Sequence, residues 1–270
     1  TSDTRMAIGV DADRPVVRRM EDTAGSHSWI DGVSRETLMP LVSVGGADRQ
    51  TQWHFADGSL SGDGTTLTLA FQNDTPTLLL KSIWRARPGR GPVEHWLTIE
   101  NQGNERVVLS HQDSLSLTGL TPNGDATVWW IKRGGGNAST EGGTFAEPLG
   151  PTLDLNLVSN CDDGASPVPW LAVQVGDTRG VYAGWEFSGL GRIAAKPRDN
   201  AKTLDVEAGL LPDFRTDIAP GEVFLVPPAF VGCYTGDIDD GAYSLHQWIL
   251  AYLRTKLSGN IPDPILAYNL

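Results

Sequence analysis

An all-β domain of stacked antiparallel sheets, followed by one amphipathic helix, is the fold class this sequence predicts. Three observations predict it. β-Branched, aromatic and aliphatic residues alternate with period two in short runs, and turn residues separate the runs at close intervals. Glycine (31) and proline (17) are abundant in a chain of 270 residues, as many turns and short strands require. Helical spacing is absent until the C-terminal region, which excludes a doubly wound α/β fold.

The elements follow in order. Thr65 to Phe71 alternates cleanly after the turn cluster Ser61-Gly-Asp-Gly64 and predicts a strand. Thr77 to Arg87 predicts a second, closed by Pro88-Gly89. Val93 to Glu100 predicts a third, with Val93, His95, Leu97 and Ile99 on one face. Asn101 to Asn104 reads as a turn into Arg106 to Ser110, so these two strands are expected to form a hairpin. Further strands are expected at Thr127 to Ile131, Leu153 to Leu157, Trp170 to Val175, Arg179 to Phe187, Leu204 to Leu210 and Val223 to Val231. Lys132 to Pro151, rich in glycine and small polar residues, reads as one long loop, and long loops are usually functional or mobile. From Gly241 onward, Leu245, Trp248, Ile249, Tyr252 and Leu253 recur at helical spacing. Asp239 and Asp240 are the N-cap candidates, Arg254 and Lys256 lie in the last turn, and Gly259 and Pro262 end the helix. Pro264 to Leu270 then reads as the start of a buried strand.

Bulk properties exclude several functions. A net charge of −12 speaks against nucleic acid and against an anionic membrane surface. No apolar run approaches the roughly 20 residues of a membrane span. Thr1 to Asp13 lacks an apolar stretch, so no signal peptide is expected there. Cys161 and Cys233 are read either as two buried thiols or as a disulfide; the thiols are preferred, because free cysteine is commonly buried. No Cys–His cluster has zinc spacing.

Four stretches together resemble the N-terminal domain of glycoside hydrolase family 36, the α-galactosidase-like enzymes. They are Val93 to Asn101 running into Val107-Val-Leu109; Gly180 to Gly189, similar to a Gly–aromatic–Ser-Gly hairpin; Leu211-Pro212 followed by Ala219-Pro-Gly-Glu to Pro227; and the helix with His246 and Arg254 leading into Pro264 to Asn269. The resemblance spans roughly residues 60 to 270. It implies a large antiparallel β-supersandwich, galactose-mutarotase-like, over residues 1–260, and the first strand of a (β/α)8 barrel over residues 261–270. The barrel would carry two catalytic aspartates, neither of them in this chain.

Candidate chemistry within the chain is sparse. Retaining glycosidases need two carboxylates about 5 Å apart, and no local motif singles out a pair among the 33 Asp and Glu residues. Asp162-Asp163-Gly164 and Asp237 to Asp240 lack the full ligand ladder of a calcium loop and read as turns or helix caps. His95 reads as a hydrogen-bonded core histidine, with His54 and His111 carrying no stronger claim; a sugar-epimerising acid–base pair of His95 or His111 with Glu186 is the minor alternative. Tryptophan is the informative residue, with nine in the chain, because pyranose C–H faces stack on indole. Trp129 and Trp130 are adjacent in one strand and point to opposite faces. With Lys132, Arg133 and Asn137 after them, they form the candidate sugar-facing edge, against the alternative that both rings are packed inside. Trp84, Trp96, Trp170, Trp185 and Trp248 read as core. Asn73 and Asn137 match glycosylation sequons.

The expected function is therefore that of a non-catalytic N-terminal domain of an α-galactosidase-like glycosidase, packing on a catalytic barrel and shaping the rim of its sugar pocket. The alternatives are a free-standing carbohydrate-binding module and a mutarotase-like sugar epimerase. The expected partners are a galactoside-type carbohydrate, the C-terminal barrel and further copies of the chain in a homo-oligomer. No cofactor, metal, nucleic acid or membrane is expected.

Overall fold

The computed structural model describes residues 1–24, 27–133, 143–160 and 166–254. It is a β-supersandwich built on one ten-stranded antiparallel sheet. Nine strands follow one another in that sheet: Gly143–Pro148, Ala126–Lys132, Pro167–Val175, Arg179–Trp185, Ala229–Thr235, Val93–Asn101, Leu78–Ala86, Thr66–Asn73 and His54–Leu60; the tenth, Val223–Leu225, pairs beside Val93–Asn101.

Two four-stranded sheets cover one face of this large sheet. Asp113–Leu120, Thr203–Gly209, Gly191–Arg198 and Leu155–Ser159 form the first; Thr216–Ile218, Val107–Leu109, Leu41–Val44 and Ala47–Gln50 form the second. Alternation dictates the packing: every second residue of each strand faces inward. Val128, Val173, Val181 and Val231 thus meet Leu115, Leu117, Ile193 and Val206. Further along, Leu80, Leu97 and Ile99 meet Val42, Val107, Leu109 and Ile218. A small sheet of Thr4–Asp11, Arg14–Asp22 and Ser34–Arg35 adds Val17 and Met20 to the first core.

On its other face the large sheet carries the helix Ile238–Trp248 and a wide turn, Ile249–Leu253. Its N-cap is Asp237, two and three residues before the candidates Asp239 and Asp240. The Asp237 side chain accepts from the backbone N–H groups of Asp239 and Asp240, and Asp240 returns a bond to the Asp237 N–H, so the cap is reciprocal. Beneath the helix, aromatic residues lie over cross-strand glycines. Gly184 is opposite Phe230, Gly180 opposite Tyr234, and Tyr182 opposite Gly232. A Cβ on Gly184 would sit 2.2 Å from the Phe230 ring, so only glycine lets the rings lie flat enough for Trp248 to pack above them.

Three expectations need correction. Val93–Asn101 and Val107–Leu109 are not a hairpin: the latter pairs with Leu41–Val44 and Thr216–Ile218 in the other sheet. Both edges of Val93–Asn101 are already occupied, by Leu78–Ala86 and by the Ala229–Thr235 and Val223–Leu225 strands, so the chain must leave. Val223 to Val231 is two strands, because Pro227 and Pro228 carry no N–H to continue a ladder. The expected loop Lys132 to Pro151 contains the strand Gly143–Pro148, which extends the large sheet. Residues 134–142, 161–165 and 255–270 lie outside the described residues, and with them Asn137, Cys161, the Asp162-Asp163 turn and the expected barrel strand. Cys233 is a buried free thiol.

Because the glycine–aromatic pairs leave no room for a methyl group, Gly184→Ala is expected to destabilise the chain by about 1–3 kcal/mol, seen as a lower denaturation midpoint. Adding Phe230→Leu should return part of that loss, whereas additive losses would show that the two positions do not compete for the same space.

Candidate functional site

The helix-bearing face is the part of the molecule with an organised mixture of aromatic and charged groups. Trp170, Ala172, Tyr182, Phe230, Tyr234 and Trp248 are buried there, with Trp129, Ile131, Leu245 and Tyr252 packed around them. Next to this aromatic floor stands Glu94, 1% exposed and opposite Phe230 in the ladder. A buried carboxylate needs compensation, and two arginines supply it. Arg85 donates to Glu94 at 2.9 and 2.5 Å, and Arg87 at 2.6 and 3.2 Å, so both forks are bidentate. Aromatic rings hold the guanidinium groups in place: Arg85 lies over Trp96 and Arg87 over Tyr252, each 4.9 Å from the ring centroid.

Glu186 borders the same cluster. Burial first, and then the charge of Glu94, push its carboxyl up to about 7 against the opposing pull of Arg85 and Arg87. Its Oε1 is buried without a hydrogen-bond partner. Glu94 is locked by four hydrogen bonds and cannot serve as a mobile base. Glu186 is a half-buried acid without a catalytic partner among the described groups.

The residues expected at the sugar-facing edge do not converge. Trp129 lies on the helix-bearing face beside Trp170, half-buried. Trp130 lies on the opposite face, stacked on Phe145 with centroids 4.2 Å apart, its indole N–H donating to Glu147 at 3.3 Å. Lys132 ends the strand opposite Gly143 and is half-exposed. Arg133 turns back to donate to the Asn160 carbonyl and the Ser166 hydroxyl. Among the tryptophans expected in the core, Trp84, Trp170, Trp185 and Trp248 are buried, while Trp96 is half-buried beneath Arg85. Asn73 is no glycosylation acceptor in this fold: it is buried, donating to the Pro76 carbonyl and accepting from the Gln52 N–H.

His95 is a core residue, fully buried between the sheets, and it organises a polar hub. Its Nδ1 lies 2.7 Å from the Ser114 carbonyl and therefore carries the proton; its Nε2 lies 2.9 Å from Ser82 Oγ and 3.5 Å from Glu36 Oε1. Trp84 stacks on the imidazole at 3.9 Å and donates its indole N–H to Ser82. Burial pushes His95 down to about 3, against its bond to Ser114, and pushes Glu36 up to about 8. Both are uncharged at neutral pH, so this is not an ion pair. With Glu36 protonated, its hydroxyl donates to Ser82 across 3.2 Å and Ser82 donates to His95, while Glu36 Oε1 stays without a hydrogen-bond partner. A Ser–His pair with no exposure has no route to substrate, and its role is structural. No group of three or more His, Cys, Asp or Glu side chains among the described residues is arranged to hold a metal.

No protein-family model and no curated protein matches this sequence. Its fold does match solved structures. The α-galactosidase from Lactobacillus brevis superposes with a TM-score of 0.72 at 15% identity, over 92% of this chain and 40% of that one. A variant of the GH36 α-galactosidase AgaA from Geobacillus stearothermophilus, in complex with raffinose, gives 0.70 at 14% identity, over 90% and 41%. The galactosidase domain of the α-galactosidase–sucrose kinase AgaSK gives 0.64 at 12%, over 88% and 40%. The chain therefore shares the fold of part of these α-galactosidases, and it spans about two fifths of their length.

The hub yields a pH prediction. Glu36 ionises near its ordinary 4.5 in the unfolded chain but near 8 in the folded one, so the folded state binds more protons between these values and loses stability as pH rises through them. His95 acts in the opposite sense below its ordinary 6.5, adding stability as pH rises from about 3. Glu36→Gln keeps an N–H to donate to Ser82 and removes the acid. Its melting temperature should exceed the wild type at pH 8 and converge with it near pH 5; parallel curves across that range would contradict a protonated Glu36.

Proposed function

We propose that this chain is the non-catalytic N-terminal domain of an α-galactosidase-like glycosidase, and that its helix-bearing face packs on a catalytic (β/α)8 barrel following residue 260. The match over nine tenths of this chain, but only two fifths of each α-galactosidase, carries the proposal. The helix supports it. Tyr243, Ile249, Leu250 and Leu253 are exposed large hydrophobic residues on an element whose other side already covers the sheet. Solved structures of the same fold are complexes of α-galactosidase variants with raffinose and with stachyose, so the substrate proposed for the whole enzyme is an α-galactoside.

Trp129, on the packing face, is the ring assigned to the pocket rim, with Lys132 at the end of its strand and Asn137 in the segment beyond. Arg133 holds that edge against Asn160 and Ser166. Trp130 supports the strand from behind through Phe145.

The test is activity as a function of chain length. The isolated chain should hydrolyse no aryl α-galactoside above background, while the same chain joined to the proposed barrel should. Turnover by the isolated chain, abolished by one carboxylate substitution within it, would overturn the proposal. In the extended enzyme, Trp129→Ala should lower kcat/KM about tenfold or more with little change in folding. Trp130→Ala should instead cost about 2 kcal/mol of stability, through loss of the stack on Phe145.

A further inference from the structure

Asparagine followed by glycine occurs at one place in the sequence, Asn123-Gly124, on the connection between Asp113–Leu120 of a small sheet and Ala126–Lys132 of the large one. Both residues are exposed. Asn123 has φ 51°, in the left-handed region that asparagine enters more readily than most side chains do. Gly124 is fixed by packing: a Cβ there would lie 2.8 Å from Val175 Cγ1, so the turn has no room for a side chain at that position.

Neither the Asn123 side-chain amide nor the Gly124 N–H has a hydrogen-bond partner among the described residues. The Asn123 carbonyl does have one. Arg179, the first residue of the strand Arg179–Trp185, donates to it from Nη2 at 3.1 Å, and from the same nitrogen to the Pro122 carbonyl at 2.9 Å. That carbonyl belongs to the peptide group whose nitrogen is Gly124 N. A cation donating to a peptide oxygen stabilises the negative charge that the group acquires when its N–H is lost, because a hydrogen bond to the charged form favours that form. The fold thus holds a guanidinium where it makes the Gly124 nitrogen a better nucleophile.

The electrophile is the neighbouring side chain. The Gly124 nitrogen loses its proton to solvent base and attacks Asn123 Cγ, closing a five-membered ring. The bond from Cγ to the side-chain nitrogen breaks, and that nitrogen takes up a proton and leaves as ammonia. Water then adds to either carbonyl of the succinimide and reopens it, giving an aspartyl or an isoaspartyl residue at position 123. In the isoaspartyl product the carbonyl that Arg179 holds has become the carboxylate, so a hydrogen bond is replaced by an ion pair. Asn200 supplies an internal comparison. It too is exposed and left-handed, at φ 58°, but Ala201 follows it, whose Cβ crowds the attacking nitrogen, and its carbonyl accepts from no arginine among the described residues.

We propose that Asn123 is a site of spontaneous deamidation whose attacking nitrogen the fold activates through Arg179. The site belongs to the turn between the two sheets and does not depend on a barrel domain.

The test is peptide mapping by mass spectrometry of the chain incubated at mildly alkaline pH, once folded and once in urea. In the folded chain position 123 should deamidate at least as fast as in urea, where Arg179 is no longer held on the carbonyl, and Asn200 should stay intact far longer. Arg179→Gln should slow the reaction at position 123 about threefold or more in the folded chain and leave it unchanged in urea. A folded wild-type chain that reacts more slowly at position 123 than the chain in urea would show that the turn protects the residue, and would overturn the proposal whether or not the variant folds. So would an Arg179→Gln chain with wild-type spectra that reacts at the wild-type rate.

Discussion

Strand Val93–Asn101 is the constraint on which the rest of the sandwich depends. It pairs along both edges and buries its inner face, and it carries a glutamate, a histidine and an asparagine that are at most 1% exposed. Each would cost several kcal/mol if buried without partners. The partners come from widely separated parts of the chain. Arg85 and Arg87 of the neighbouring strand clamp Glu94. Ser114, Ser82 and Glu36 surround His95, joining one small sheet to the large one. Asn101 donates to the Glu105 and Ile218 carbonyls and accepts from the Gly103 N–H, which ties the second small sheet to the strand's end. A slip of one residue would send His95 outward and Trp96 inward and leave all of these groups unpaired, so the polar side chains fix the register that the apolar ones only favour.

Much of this architecture was legible in the sequence, because alternation is a local signal. Val93, His95, Leu97 and Ile99 do share a buried face, and most strands expected between Thr65 and Val231 fall close to where period two places them, but the strands Asp113–Leu120, Gly143–Pro148, Gly191–Arg198 and Thr216–Ile218 were not expected. What escaped was set by partners rather than by pattern. The hairpin Thr4–Asp11 with Arg14–Asp22 turns on Ala12 and Asp13, both at positive φ (47° and 59°), and no glycine marks the turn. The supposed hairpin after Asn101 failed because edge occupancy is a tertiary fact. The reciprocal cap at Asp237 was hidden among three acidic residues, any of which has the right chemistry.

The functional groups were less legible for the same reason. Trp129 and Trp130 were expected to face opposite ways, as they do, but only the structure shows that Phe145 claims Trp130 and the helix-bearing floor claims Trp129. Arg85, Arg87 and Glu94 look like ordinary alternating surface charges until the ladder brings them against Phe230 and Tyr252. The crossover between the two small sheets had one available signal: a polar run, Ser110-His-Gln-Asp113, between two apolar strands with no glycine or proline in it. Side chains in such a run must find work in a wall or in a site.

Taken together, the inner face of the large sheet is finished and the helix-bearing face is not. The inner face is sealed by two small sheets around a neutral hub. The other has an aromatic floor, a clamped Glu94, an acid at Glu186 with one unpartnered oxygen, and a helix showing Ile249, Leu250 and Leu253 outward. Hydrogen–deuterium exchange on the chain alone and on a longer protein that joins it to the proposed barrel compares the two faces directly. The account predicts that protection gained in the longer protein concentrates on Ile249–Leu253 and on the strand end at Lys132 and Arg133, with His54–Leu60 and Ala47–Gln50 unchanged. Protection gained at those two edge strands, with the helix-bearing face exchanging as it does in isolation, would contradict it.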